Sequence, residues 1–342
     1  MKIIEPSVEY WSQETGIEGI WNQIAKATRV CYQSTPKNNG ESDKDFVKRV
    51  ILKPALIKGD LDDLEHCKFN FDTMHGSTLE HGTVYLLIPF DDEIKLKDTH
   101  IIDNENAIIP FQKIYFSLYT RVNKCTKGWA ITTNLRYILE TKQLYLIYKY
   151  LCEPTEYHAR RYTFSIITNI GVTKECNRHR VNSPSEESTR WCTYSAGKFG
   201  SEITYVKQSW IGDKYNSMCK YIGGLTKEQQ SLIFKNWCSL IANNNISKWT
   251  KESYLVFGLL AAEFSYMGMK NNHATNDMAR TVLNHGTKTQ EVITAFKDDW
   301  EHFLKLRADN ASGKVHPDMQ TIANKIKEII KTFKQQNYEQ RY

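Results

Sequence analysis

The 342-residue sequence has no apolar run long enough to cross a bilayer: its longest, residues 254–262, ends at Glu263, whereas a spanning helix needs roughly 20 residues. A membrane span is excluded, and the run reads as a buried helix. The eight cysteines (Cys31, Cys67, Cys125, Cys152, Cys176, Cys192, Cys219, Cys238) are scattered without a C-x-x-C pair, so neither a zinc knuckle nor a redox motif is written here. Reduced thiols and no metal centre are expected. No G-x-G-x-x-G follows a strand-like run, and no Walker loop occurs, so a dinucleotide would not sit on a Rossmann domain. Internal repeats and low-complexity tracts are absent. Residues 1–5 meet an acid, Glu5, before any apolar run, so no secretory signal and a cytoplasmic location are expected.

Charge of one sign is scarce too. Forty-five Lys and Arg against 39 Asp and Glu leave +6, enough to favour anionic ligands but too little for a dedicated nucleic-acid coat. No nucleic-acid or membrane partner is expected, and a phosphorylated small molecule fits. What is present, 41% hydrophobic and 25% charged residues, is the composition of a soluble globular chain. At about 150 residues per domain the length suggests two domains, or one with a large insertion.

A short opening strand is followed by Thr15-x-x-Glu18, a capping box ahead of Ile17, Ile20, Trp21 and Ile24 on one helical face. A second box, Ser42-x-x-Asp45, precedes Phe46, Val47, Val50 and Ile51, and Pro54 is expected to stop that helix. Residues 83–90 and 161–170 are β-branched and aromatic runs and read as strands. Between them lie strand-like pieces at 108–119 and 129–133 and a helical stretch over 135–151, which read as an inserted, folded subregion. The second half is mainly helical. Thr226-x-x-Gln229 opens one helix, Asn243-Asn244-Asn245 separates it from another over 250–267, and Met319, Ile322, Ala323, Ile326, Ile329, Ile330 and Phe333 mark a final amphipathic helix with solvated lysines.

Chemistry concentrates in residues 174–190, placed directly after a strand ending near Val172. Arg178, Arg180 and Arg190 offer fork-shaped donors suited to a phosphate or the edge of a base. Ser183, Ser185 and Ser188 add hydroxyls, and Glu186 and Glu187 can accept from a sugar or an imide or hold the arginines. The alternative is a solvated loop whose charges pair among themselves, at about 0–1 kcal/mol per exposed pair. Arg307, read alone, is a helix-end arginine beside Asp309, and His75 and His81 read as histidines capping the next strand.

Arg178-His179-Arg180, seven residues, then Ser188, with Glu186-Glu187-Ser188-x-Arg190, resembles the signature of the flavin-dependent thymidylate synthases (ThyX). Four segments in chain order agree: Ala27-Thr28-Arg29-Val30-Cys31-Tyr32, His75-Gly76-Ser77-Thr78-Leu79-Glu80-His81, Ala279-Arg280-Thr281-Val282-Leu283 and His302-Phe303-Leu304-Lys305-Leu306-Arg307. The likeness covers most of the chain except about 91–157, which places the surplus length in an insertion within a single catalytic domain spanning 1–342. The sequence departs from the family pattern at Ser185, Trp191 and Asn284, at Glu175 where the family has Gln, and at Phe296 and Asp298 where it has a flavin-touching Asn-x-Arg.

The resemblance implies an α+β fold, a twisted sheet with packed helices plus an inserted α/β subregion, assembled as a homotetramer with shared active sites. It implies reductive methylation of dUMP to dTMP, with methylenetetrahydrofolate as carbon donor, NADPH as reductant and FAD as relay, and no cysteine nucleophile. Arg178, Glu186, Glu187, Ser188, Thr189, Arg190, Arg280 and Arg307 would bind dUMP. Ser77, Glu80, Arg178, His179, Arg180, Glu186 and His302 would hold FAD. Arg307 would polarise the uracil ring, Ser188 would act at the phosphate, and His75 would position folate or handle a proton. Two other readings stay open: a related pyrimidine-nucleotide hydroxymethylase, and a flavin-free nucleotide- or nucleic-acid-binding protein.

Overall fold

The computed structural model describes residues 1–34, 40–90, 117–195, 200–211, 213–311 and 313–339. The strands are β1 (Lys2–Ile4), β2 (Ser7–Trp11), β3 (Leu56–Lys58), β4 (Lys68–Phe69), β5 (Thr83–Pro89), β6 (Arg121–Lys124), β7 (Gly128–Asn134), β8 (Arg161–Asn169), β9 (Ser183–Glu186), β10 (Thr204–Val206) and β11 (Lys288–Phe296). The helices are α1 (Gly16–Tyr32), α2 (Asp43–Val47), α3 (Leu135–Glu140), α4 (Tyr145–Tyr150), α5 (Ile170–Cys176), α6 (Asp213–Gly223), α7 (Lys227–Ala242), α8 (Lys251–Asn271), α9 (Asn276–Ala279), α10 (Lys297–Arg307) and α11 (Pro317–Glu339). Antiparallel sheets, beside one short parallel pair of β1 with β10, with helices gathered on their faces make the fold α+β.

A four-stranded sheet in the order β2-β8-β11-β9 carries the candidate site. Its spine is β8 against β11, paired from Arg161↔Phe296 to Asn169↔Lys288. Strand alternation gives the sheet two faces. One presents Phe164, Ile166, Ile293 and Ala295 to Trp300 and Phe303 of α10 and to Met319, Ile322, Ala323 and Ile326 of α11. The helical spacing read for the final helix is therefore its packing face, each fully buried aliphatic contributing about 1.5–3 kcal/mol. Its solvated lysines are there as well, with Lys327 paired to Asp309 and Lys331 to Glu328. On the other face Val292 meets Ala27 and Val30 of α1.

The opposite side of α1 packs on a second sheet, β5-β7-β6. Ile20, Trp21 and Ile24 share one core with Leu86, Ile88, Ile131, Leu135, Ile138, Leu146 and Ile147. The described part of the expected insertion thus has no core of its own. It completes the one begun by α1 and β5. Within it the single helix expected over 135–151 is two, because the chain turns between α3 and α4 with Lys142 at φ 56. Residues 108–116 of the expected strand 108–119 lie outside the described residues, and Ser117 to Tyr119 do not form strand.

Other local expectations divide. Ser42 caps α2, its hydroxyl accepting from Asp45 N at 3.1 Å, and the Thr226–Gln229 box closes in both directions. Thr15 is the N-cap of α1, but its side chain makes no capping bond. A Cβ on Gly19 would lie 1.9 Å from Glu14 O, so only glycine permits that close approach. Past α2 the chain continues as a π turn, Lys48–Leu52, and a 3-10 turn, Lys53–Ala55, so Pro54 lies inside the last turn instead of ending the helix before it. The run 254–262 does form a helix, but a half-buried one, with Tyr254 and Phe264 exposed. No helix among the described residues is long and apolar enough to cross a membrane.

Candidate active site

The strand before the motif ends at Asn169, sooner than expected, because the Asn169 side chain accepts from Val172 N at 3.0 Å and starts α5. Tight turns follow, with His179 N donating to Cys176 O at 3.0 Å and Asn182 N to His179 O at 3.0 Å. The segment expected as a charged loop then becomes edge strand β9, with Ser183↔Thr294 and Glu186↔Glu291 in register on β11. Beyond it Glu187 N donates to Gln290 O at 2.8 Å and Ser188 N to Cys31 O at 3.0 Å, while Cys31 Sγ donates to Glu186 O at 3.2 Å. The motif is clamped to the C-terminal end of α1. Period-two alternation sends Glu186 and Glu187 to opposite faces of the sheet.

On the α5 and α10 face, Glu186 Oε1 accepts from the hydroxyls of Thr173 and Thr289, each at 2.9 Å. Burial raises its pKa, against the pull of those two donors. Arg307 closes α10 above it: Nη1 donates to Glu175 Oε2 at 3.3 Å and Nε to His179 Nε2 at 3.1 Å. That bond requires the neutral imidazole. Burial, then Arg307, then His302 push the His179 pKa down to about 4, and its ring lies against Phe303 with centroids 4.8 Å apart. Arg307 does not pair with Asp309, which Lys327 holds. Arg178 and Arg180 are exposed and make no side-chain hydrogen bond or ion pair among the described residues. His302 is exposed as well.

On the opposite face Glu187 is fully enclosed and bridged to Lys288, and it accepts from Gln33 Nε2 at 3.4 Å and Tyr194 OH at 3.5 Å. It serves to fasten the segment. Ser188 Oγ accepts from Arg190 N at 3.3 Å. Arg190 Nε donates to Asp277 Oδ1 at 3.1 Å, and Arg280 Nε lies 3.9 Å from the same oxygen. Asp277 thus gathers two exposed guanidiniums beside Ser188, with Thr189 half-buried between. Tyr32 stands between His75 and Trp191, with ring centroids 6.1 and 6.3 Å away. His75 and Ser77 are exposed.

The fold therefore brings Ser188, Arg190, Arg280 and His75 to one face of the sheet and His179, Glu186 and Arg307 to the other. Glu80 is not free for a ligand, since it is buried and bound by Arg136 Nη1 at 2.7 Å. His81 is fully buried under β11, its Nδ1 2.8 Å from Thr294 Oγ1, and desolvation lowers its pKa to about 3. Phe296 is buried beneath Arg121, whose guanidinium lies 4.3 Å from the ring, and Asp298 pairs with Arg121 at 3.4 Å. A cavity of about 460 Å³, lined by Asn169, Val172, Glu175, His285, His316 and Asp318, reaches the site at Glu175. Sequence reasoning missed Asp277, although its i, i+3 spacing to Arg280 signalled an ion pair. It also missed Glu291 and Lys288, which only strand register brings to Glu186 and Glu187.

A family model described as thymidylate synthase complementing protein matches residues 153–333, just over half of the chain. No curated protein sequence matches. Among solved structures, a UMP/dUMP methylase, PolB, from Streptomyces cacaoi bound with 5-Br dUMP is 14% identical, covering 96% of this chain and 91% of that one with a TM-score of 0.35. Thymidylate synthase X from Helicobacter pylori with FAD and dUMP is 15% identical, covering 94% and 90%, with a TM-score of 0.30. Neither likeness is close enough to transfer a residue role.

Proposed function

The chain belongs to the thymidylate synthase complementing protein (ThyX) family, and from that premise we propose that it is a flavin-dependent thymidylate synthase, methylating dUMP to dTMP with methylenetetrahydrofolate and NADPH. One observation carries this reading: the Arg178-His179-Arg180-x7-Ser188 signature lies inside the matched span and brackets one edge strand, with His179 against Arg307 before it and Ser188 held to the end of α1 after it.

The flavin fits the donor set on the α5 face. Arg178 and Arg180 are unengaged cations suited to its phosphates, and His179 is neutral. FAD, when bound, supplies the hydride relay between NADPH and the one-carbon unit. Ser188, Arg190 and Arg280 bind the dUMP phosphate on the other face, where a dianion needs several charge-assisted donors. Arg307 lies against the imide edge of the ring and stabilises the charge that develops there, in place of activation by a cysteine. His75 orients the folate. Because the two groups stand on opposite faces of one chain, each complete site takes residues from more than one copy, in a homotetramer.

The purified protein should be yellow and should release dTMP when given dUMP, NADPH and methylenetetrahydrofolate. Ser188→Ala and Arg307→Ala should each lower turnover by at least about 100-fold, the scale of one lost transition-state donor, with unchanged circular dichroism. Bound flavin without product, or full activity in both variants, refutes the assignment. The Glu175–Arg307 ion pair favours a second reading, hydroxymethylation of a pyrimidine nucleotide, which product masses from dUMP and dCMP distinguish. A colourless active binder would instead point to a flavin-free nucleotide protein.

A further inference from the structure

Glu291 lies at the middle of β11 with no solvent exposure, on the face it shares with Ile293 and Ala295, and its carboxyl oxygens accept no hydrogen bond of good geometry, with Cys176 and Asn177 the nearby donors. An isolated buried carboxylate is one of the costliest groups a protein can hold, so the neutral acid is the stable form. The groups facing it are few. Glu186 stands directly opposite on β9, and Ile166 on β8 is apolar. Cys176 and Asn177 approach from the end of α5. Arg307 and Glu175 lie beyond Cys176, and Lys174 lies near Glu186. Residues directly opposite in an antiparallel pair point the same way, with Cβ atoms about 4.5–5.5 Å apart. Two carboxyls so placed cannot both be charged in a dry interior. Glu186 already accepts two hydroxyl hydrogen bonds of good geometry, which favour its ionised form, whereas Glu291 has only the weak Cys176 thiol and the Asn177 side chain near it.

We propose that Glu291 is a positioning residue: as a neutral acid it donates a hydrogen bond to Glu186, so that the pair shares one proton and the site presents one carboxylate instead of two. Burial and the neighbouring Glu186 both raise its pKa well above the ordinary carboxyl range, in accord with that geometry. Neither the signature nor any of its companion segments includes this residue. The inference rests on the proposed function only where Glu186 meets a ligand.

The primary test needs no ligand. Difference infrared spectra of the purified protein at neutral pH should show the C=O stretch of a protonated, hydrogen-bonded carboxyl that is lost in Glu291→Gln. In Glu186→Gln the band should persist but shift, because its acceptor is no longer an anion. Absence of the band in wild type, its survival in Glu291→Gln, or no shift in Glu186→Gln overturns the proposal; if Glu291→Gln does not fold, the Glu186→Gln shift decides it. Calorimetry with dUMP supplies the functional arm. Wild-type affinity should weaken several-fold as the pH rises and Glu291 loses its proton, a step that Glu291→Gln, which keeps the donated hydrogen bond, should lack. Identical alkaline limbs refute the coupling. No dUMP binding at any pH in either protein refutes the proposed function and leaves the infrared result to judge Glu291.

Discussion

Arg307 ends α10 with its charge already answered: Glu175 takes Nη1 at 3.3 Å and His179 takes Nε at 3.1 Å. A guanidinium neutralised in the free protein must give up a carboxylate before it can meet a ligand's imide. Glu175→Gln retains a hydrogen-bonding partner but removes that competing charge. It should tighten dUMP binding by about 3- to 10-fold, the upper figure being roughly 1.4 kcal/mol, as measured by calorimetry. Unchanged or weaker binding would show that Arg307 does not reach the nucleotide. At this scale the sequence was informative about donors and poor about what occupies them. The Arg-His-Arg cluster, Ser188 and Arg190 stood out by their polar density, and only their resemblance to a family signature singled them out from a solvated loop. The partners of Arg307 were not legible, because Glu175 lies on the short helix α5 and His179 in the turn after it, and only folding brings both to the end of α10. The pairing of Arg307 with Asp309, plausible from sequence neighbourhood, lost to Lys327, which arrives from α11.

Among the elements, α1 is the hinge of the design. One side of it meets Val292 of the four-stranded sheet, the other meets β5, β7, α3 and α4. Its apolar spacing announced the helix, and the β-branched runs announced β5, β7 and β8, because each strand is buried along most of its length. The break between α3 and α4 was not legible, since Thr141-Lys142-Gln143 contains neither glycine nor proline, and packing imposes the left-handed Lys142. Nor was β9 legible: Ser-Pro-Ser-Glu has little strand propensity, and its pairing with β11 overrides that preference. Because the described part of the insertion shares its core with α1, the two should unfold together. Leu135→Ala, at a fully buried position of that joint core, should cost about 2–5 kcal/mol and lower the single melting transition by several degrees. Two transitions, of which one alone moves, would show that the insertion folds independently.

For the whole molecule, the proposed function makes assembly a condition of activity. Arg178→Ala and Ser188→Ala, each inactive alone, should recover on the order of a quarter of wild-type activity when co-expressed, since random mixing leaves about one shared site in four intact. No recovery would place the complete site within one chain. The modest net charge of +6 conveyed little of this. In the proposed function its working part is a handful of arginines, of which Arg190 and Arg280 share Asp277 while Arg178 and Arg180 are exposed before β9.

The edge position of β9 gives the seven-residue gap in the signature a meaning as a measure of phase. Exposed loop tips usually tolerate insertions, but here each residue added or removed within Ser183–Glu186 inverts the strand's parity. A residue removed would carry Glu187 from Lys288 to the Thr173 and Thr289 hydroxyls, and one added would carry Glu186 to Lys288. Length variation in this family member should therefore be even-numbered within the strand or absent, and the motif keeps its count for the same reason a gear keeps its teeth.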